Sequence, residues 1–388
     1  MFSFLLVLIY LCFISLGLPD SLLGSAWPVL HQDINVPMSY AGIISIVITI
    51  GTIISSLLSD KMTKKWGAGL LTAISISLTA IGLWGFSVGN SFLMLLLWSV
   101  PYGLGAGGVD AVLNNYVALN YKAQHMSWLH CFWGVGASIS PYIMSFSLVR
   151  LNSWSNGYLI VAIIQIVLTI LAFISLPLWN KSISSDETDA EISQNEPMKL
   201  KEILSVKGAI PCFFTFFSYC GLELTTCLWA SSYLVQNRGI NIETASAFAS
   251  MFYIGITFGR AVNGFLAMRF GDRFLIRVGL GIIAAGIILI LIPFGNILAL
   301  LGFVIIGLGC APVYPCIIHM TPFVFGRDKS QAMIGFQMAF AYTGFCVMPP
   351  LFGLIAEHIT IALLPVYQLV LLVVMVVMHE IMVSKTKL

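Results

Sequence analysis

The sequence predicts an all-α membrane protein, twelve transmembrane helices in two pseudo-symmetric six-helix bundles. Three observations carry that expectation. Of 388 residues, 59% are hydrophobic and 9% charged, against about 25% charged in an ordinary soluble domain. The apolar sequence falls into runs close to the length of about 20 residues that spans a bilayer as a helix. Finally, short patterns of the first half return in the second at a nearly constant spacing, as internal duplication leaves behind.

Taken in order, the apolar runs place helices at 4–30, 39–59, 67–88, 92–119, 126–149 and 156–178. Six more follow at 208–234, 243–268, 274–293, 297–320, 331–355 and 359–383. The run that begins at Met1 lacks a basic leader and a small-residue cleavage site, so it is expected to stay as a helix. Between the two sets lies a hydrophilic stretch carrying Asp186, Glu187, Asp189, Glu191 and Glu196. Its composition is that of a solvated linker. The expected organisation is therefore an N-terminal bundle over 1–179, a linker over 180–207 and a C-terminal bundle over 208–388.

Basic residues set the expected orientation, because Lys and Arg collect in short cytoplasmic loops. With the N-terminus inside, all eleven lysines and Arg269, Arg273, Arg277 and Arg327 fall on the cytoplasmic side, and only Arg150 and Arg238 outside. Both termini are then cytoplasmic in a multi-pass protein of the inner cell membrane.

Composition also narrows the chemistry. The eight cysteines lie in apolar stretches without metal-ligand spacing, so they read as reduced packing residues, and neither a metal nor a cofactor is expected. The Gly103–Gly108 cluster interrupts an apolar helix and lacks the Lys-Ser/Thr of a phosphate loop; close helix packing explains it. No His/Asp cluster of a membrane enzyme stands near an interface, and nothing points to nucleic acid. The expected partners are the bilayer, a small solute and an ion, with the chain acting as a monomer.

Three patterns recur in order. Ser56-Leu-Leu-Ser-Asp60-Lys61 precedes Gly264-Phe-Leu-Ala-Met268-Arg269 by 208 positions, Gly103-Leu104-Gly105 precedes Gly307-Leu308-Gly309 by 204, and Gly136 and Pro141 precede Gly344 and Pro349 by 208. The stretch from Ser56 to Lys65 resembles the loop signature of the major facilitator superfamily, with Ser56 and Thr63 in place of its glycines. Within it, the chain is similar to the fucose, galactose and glucose:proton symporters. The residues that carry this are Gly17-Leu18-Pro19-Asp20, Gly103 to Asn114, Leu129 to Ala137, Gly221-Leu222-Glu223 and Gly259-Arg260. Asp110 stands where a glutamate is common in those symporters. The resemblance implies a secondary active transporter that carries a monosaccharide, a hexose or deoxyhexose, with protons by alternating access. A proton-driven exporter of drugs or metabolites and a sodium-coupled sugar symporter remain open.

Acids inside a bilayer cost about 2.5–3.5 kcal/mol each, so they imply a cavity or a partner. Asp20, Asp110 and Glu223 stand inside predicted spans. The resemblance links the positions of Asp20 and Asp110 to proton coupling and sugar binding; the alternative for each is a fixed hydrogen bond to a neighbouring helix. Asp110 and Asn114 share a helix face four residues apart, which suits a polyhydroxylated solute. Glu223 is a candidate solute contact, as are Trp27, Trp133 and Trp229, whose rings stack on sugar C–H faces or simply pack. His130 is a candidate solute contact or proton relay, or else a hydrogen-bonded structural histidine; Tyr314, Gln337 and Tyr342 are further candidates for lining a cavity. Asp60 with Lys61, Lys64, Lys65 and Arg269 forms an expected gating latch, the alternative being a solvated charged turn that anchors topology, and Arg260 is expected to snorkel toward water in a gating or packing role.

Overall fold

The computed structural model describes residues 4–37, 40–183, 197–293 and 295–386; the five linker acids lie outside them. Among the described residues the chain is helical throughout. In order, the elements are α1 (Phe4–Asp20), α2 (Leu22–Asp33), α3 (Tyr40–Val88), α4 (Phe92–Asn120), α5 (Ala123–Arg150), α6 (Trp154–Ile174) and α7 (Leu176–Ile183). After the linker come α8 (Leu200–Ser205), α9 (Ala209–Gln236), α10 (Ile242–Leu266), α11 (Asp272–Leu291), α12 (Asn296–Phe325), α13 (Ser330–His358) and α14 (Leu364–Thr386). Counting α1 with α2 as one broken span and α3 as two gives the twelve membrane crossings.

Two helix boundaries differ from the sequence expectation for clear reasons. The first span is not continuous: it breaks at Ser21, two residues after Pro19, which lies inside α1 and whose missing N–H weakens the helix there. The charged segment 60–66 is not a loop. It continues the helix to Trp66, since Lys61, Lys64 and Lys65 are good helix formers, and the chain turns only at Gly67, with φ +78°. Two other helix starts carry side-chain caps. The Asn241 side chain accepts from Thr244 N at 2.8 Å at the start of α10, and Ser153 accepts from Asn156 N at 3.4 Å before α6.

The chain forms two compact units. The first comprises residues 1–116, 132–198 and 327–335, the second 117–131, 199–326 and 336–388. Each therefore includes a short piece from the other sequence half, tied in by local bonds. In the first, Gln331 donates to Ser59 Oγ at 3.1 Å. In the second, Asn263 donates to Ser127 Oγ at 2.7 Å and Trp128 Nε1 to Ala261 O at 3.3 Å.

Glycines bring helix backbones together, and the duplicated positions do so in the same way in each unit. Gly103 of α4 lies against Ile48 O of α3, and Gly307 of α12 against Phe252 O of α10; both members of the pair are shifted by 204. Gly136 of α5 lies against Ile14 O of α1, and Gly344 of α13 against Phe217 O of α9. No side chain fits at these four seams, so the repetition seen in the sequence is a repetition of helix-to-helix contact.

Candidate functional site

In the first unit, Asp20 closes α1 at the break. Trp133 Nε1 donates to its Oδ2 at 2.8 Å and the Tyr102 hydroxyl to its Oδ1 at 3.4 Å. Its carboxylate is open rather than packed away, and it lines a cavity of about 270 Å³ together with residues of α2, α3, α4 and α6. Asp110, on α4, is within electrostatic reach of Asp20. It is buried and accepts from Asn114 Nδ2 at 2.8 Å, which is the pairing that their four-residue spacing predicts.

In the second unit, α9 presents Glu223 to Arg260 of α10. Their closest N–O distance is 3.9 Å, and both side chains are less than a tenth exposed. The Tyr219 hydroxyl lies within hydrogen-bonding reach of both and donates to Cys310 O at 3.0 Å. Tyr314 packs against Tyr219 at 5.7 Å between ring centroids and edge-on against His130 at 4.9 Å. This is a polar cluster enclosed by apolar helices. It holds one cation and one carboxylate, and such a pair is tolerated in low dielectric only while both members are present.

The remaining expected site residues divide between lining and packing. Trp133 reaches Asp20, as above. Trp27 does not form a stacking wall. It is 4% exposed and packs with Leu18, Leu22, Leu30 and Trp154. Trp229 donates to Pro349 O at 3.1 Å and meets Phe352 edge-on; six residues from Glu223, it falls on a different side of α9. Gln337 is fully buried and donates to Thr321 Oγ1 at 2.9 Å and Cys212 Sγ at 3.0 Å, which places it inside the packing. Tyr342 makes a ring contact with Phe345.

Arg260 departs from the expected snorkelling. At 3% exposure it points to Glu223 rather than to water, because a buried carboxylate on the neighbouring helix satisfies it more directly than a distant interface. The bond to Asp60 comes from Lys64 at 3.2 Å, one turn along the same helix, and the backbone N–H of Met198 donates to the same carboxylate oxygen at 3.1 Å. Lys65 instead sits over the Trp66 ring, and Lys61 and Arg269 are exposed.

Several residues of these clusters were not singled out by the sequence. Tyr219 precedes Glu223 by four and so shares its face, a signal that helical spacing offers. Tyr102 precedes Asp110 by eight, again one face. The His319 to Asp272 pair, 2.7 Å apart, joins residues 47 positions apart on different helices and left no pattern in the sequence.

Known proteins give the family. The sequence profile described as the Major Facilitator Superfamily matches residues 9–226 and again 211–386. Bypass of stop codon protein 6 of Saccharomyces cerevisiae is 24% identical over 67% of this chain, and a hexuronate transporter of Bacillus subtilis is 24% identical over 64%. The chain spans 56% and 60% of the length of these two relatives. The Bacillus subtilis glucose/mannose transporter GlcP is 23% identical over 86% of this chain and 84% of its own. Among solved structures, the transporter FucP in its outward conformation superposes with a TM-score of 0.81 at 15% identity, covering 98% of both chains. The proton:xylose symporter XylE bound to 6-bromo-6-deoxy-D-glucose superposes at 0.79 and 13% identity, covering 97% of this chain and 94% of that one. At these identities the structures speak for the fold, while two successive profile matches cover nearly the whole sequence. The chain belongs to the Major Facilitator Superfamily and is a multi-pass membrane protein.

Proposed function

We propose that this transporter carries a monosaccharide together with a proton by alternating access. The observation that carries the reading is Asp20. It is an ionisable acid within a span, held by Trp133 and Tyr102 and open to a cavity. Intramembrane acids facing a cavity are the usual proton carriers of transporters, and an indole beside hydroxyl-bearing groups suits a sugar ring. Asp110 with Asn114 is the second acid of the coupling path, and Glu223 with His130 and Tyr314 completes the solute and ion groups on the second unit. The 1–179 and 208–388 bundles act as the two moving halves. The excess of basic residues in the expected cytoplasmic loops supports an orientation with both termini inside, and a symporter driven by an inward proton gradient imports its solute. Support from relatives is of the same kind: one is a glucose/mannose transporter, and XylE is a proton:xylose symporter.

A second reading concerns the solute. Arg260 is a buried cation beside a carboxylate, and one relative is a hexuronate transporter, so a sugar acid is the rival substrate. Uptake of labelled hexoses and hexuronates into proteoliposomes with an imposed proton gradient tests both. Hexose uptake that collapses with the gradient, and with Asp20→Asn and Asp110→Asn, supports the first reading. Uptake indifferent to the gradient removes the coupling claim, and uptake of hexuronate alone moves the substrate to the second reading.

A further inference from the structure

α1 and α5, the helices that carry Asp20 and Trp133, each contain a proline, and each proline removes a donor from its own helix. Pro19 has no N–H to offer Ser15 O, and Pro141 has none for Ala137 O. In lipid no water completes a carbonyl left open in this way. Both carbonyls are taken by side chains of the first unit. Gln165 Nε2 of α6 donates to Ser15 O, and the hydroxyl of Ser21, at the break itself, donates to Ala137 O at 3.0 Å. The orientation of the Gln165 amide follows from its partners. A carbonyl only accepts, so the nitrogen faces Ser15 O, and the oxygen is left to the Ser15 and Thr79 hydroxyls, 3.2 and 3.4 Å away.

Gln165 is 1% exposed and stands in a stripe of α6 that otherwise buries Val161, Ala162 and Leu168. Such a stripe packs without an amide; the carbonyl that Pro19 opens is what calls for one. Ser21 is placed by the contact one turn before it. Gly17 lies against Trp133 O, and one turn further along both helices Ser21 meets Ala137. Asp20 sits between the two bonded positions, Ser15 and Ser21, and receives the Trp133 indole at 2.8 Å. A displacement of about 1 Å carries that contact past hydrogen-bond reach. From this arrangement we infer that Gln165 and Ser21 are positioning residues: by replacing the two backbone bonds that Pro19 and Pro141 delete, they fix the break so that its carboxylate meets Trp133 and Tyr102. The inference rests on the reading of Asp20 as the proton-carrying acid, and it assigns the geometry of that acid to two side chains outside the cavity wall.

Melting and transport of the purified full chain separate the bonds from their consequence. Gln165→Leu is expected to lower the melting temperature by about 2–4 °C, and by less than half as much in the Pro19→Ala background, where a backbone N–H returns to Ser15 O. Equal losses in the two backgrounds overturn the pairing. In proteoliposomes, uptake of labelled glucose and of labelled glucuronate is measured under an imposed proton gradient, beside equilibrium exchange of the same sugar, which needs no net proton movement. Gln165→Leu and Ser21→Ala are each expected to slow gradient-driven uptake about 10-fold, with exchange kept within about two-fold of wild type. Ser21→Thr, which keeps the hydroxyl, is expected to retain at least half of the wild-type uptake rate. Gradient-driven uptake close to wild type in both Gln165→Leu and Ser21→Ala, or uptake and exchange that fall together, overturns the positioning role while leaving the reading of Asp20 intact. A wild type in which the gradient drives uptake of neither sugar overturns the reading of Asp20 as proton carrier, and the positioning role with it.

Discussion

Removing either member of the Glu223–Arg260 pair has a cost that follows from its geometry. With N and O 3.9 Å apart and an effective dielectric of about 20, the attraction is about 4 kcal/mol. Neither charge has much water to fall back on, since the side chains are 4% and 8% exposed. Truncating one member strands the other, for which about 3–5 kcal/mol is typical. Arg260→Leu and Glu223→Leu are therefore each expected to lower the stability of the purified protein by that amount. The double variant, which strands nothing, is expected within about 1 kcal/mol of wild type. Thermal melts of the four proteins in one detergent give the cycle directly. A single variant that melts with wild type, or a double that loses the sum of the two singles, refutes the argument. Either result means that Tyr219 and the cluster around it, rather than the mutual attraction, hold these charges in place.

Two further outcomes follow from other contacts. Trp133→Phe removes the 2.8 Å donor to Asp20 and is expected to slow proton-driven uptake about 10- to 100-fold, the range of one hydrogen bond to a charged group, with normal insertion and melting; initial uptake rates in proteoliposomes check it. Gly103→Val and Gly307→Val push a side chain into Ile48 O and Phe252 O and are each expected to reduce the yield of folded protein sharply, whereas Gly281→Ala, whose added Cβ meets nothing within 4 Å, is expected to keep or raise the melting temperature; size-exclusion profiles and melts separate the two classes.

What the sequence made legible was whatever repeats along one helix or between the halves. The apolar runs, the paired glycines at Gly103 and Gly307, and Asp110 with Asn114 are patterns of spacing, and the helix geometry that produces spacing is uniform. The Glu223–Arg260 pair was not legible. Its members sit on different helices, and each alone reads as a separate anomaly whose partner could lie anywhere. Trp27 shows the opposite failure. Its distance from Asp20 is correct for one helix face, but core side chains of α1, α2 and α6 pack around it, which spacing along one helix does not reveal.

The break at Ser21 has a mechanical meaning as well. Gly17 and Gly136 fasten α1 to α5 through their backbones just before that break, so the lower part of the first span travels with its neighbour as a single bar. α2, beyond the break, has its own packing against Trp154 and α6. Any bending of this span is thereby concentrated at one joint, and Asp20 is the residue at that joint. A change in the charge of its carboxylate would be felt where the span is most easily deformed.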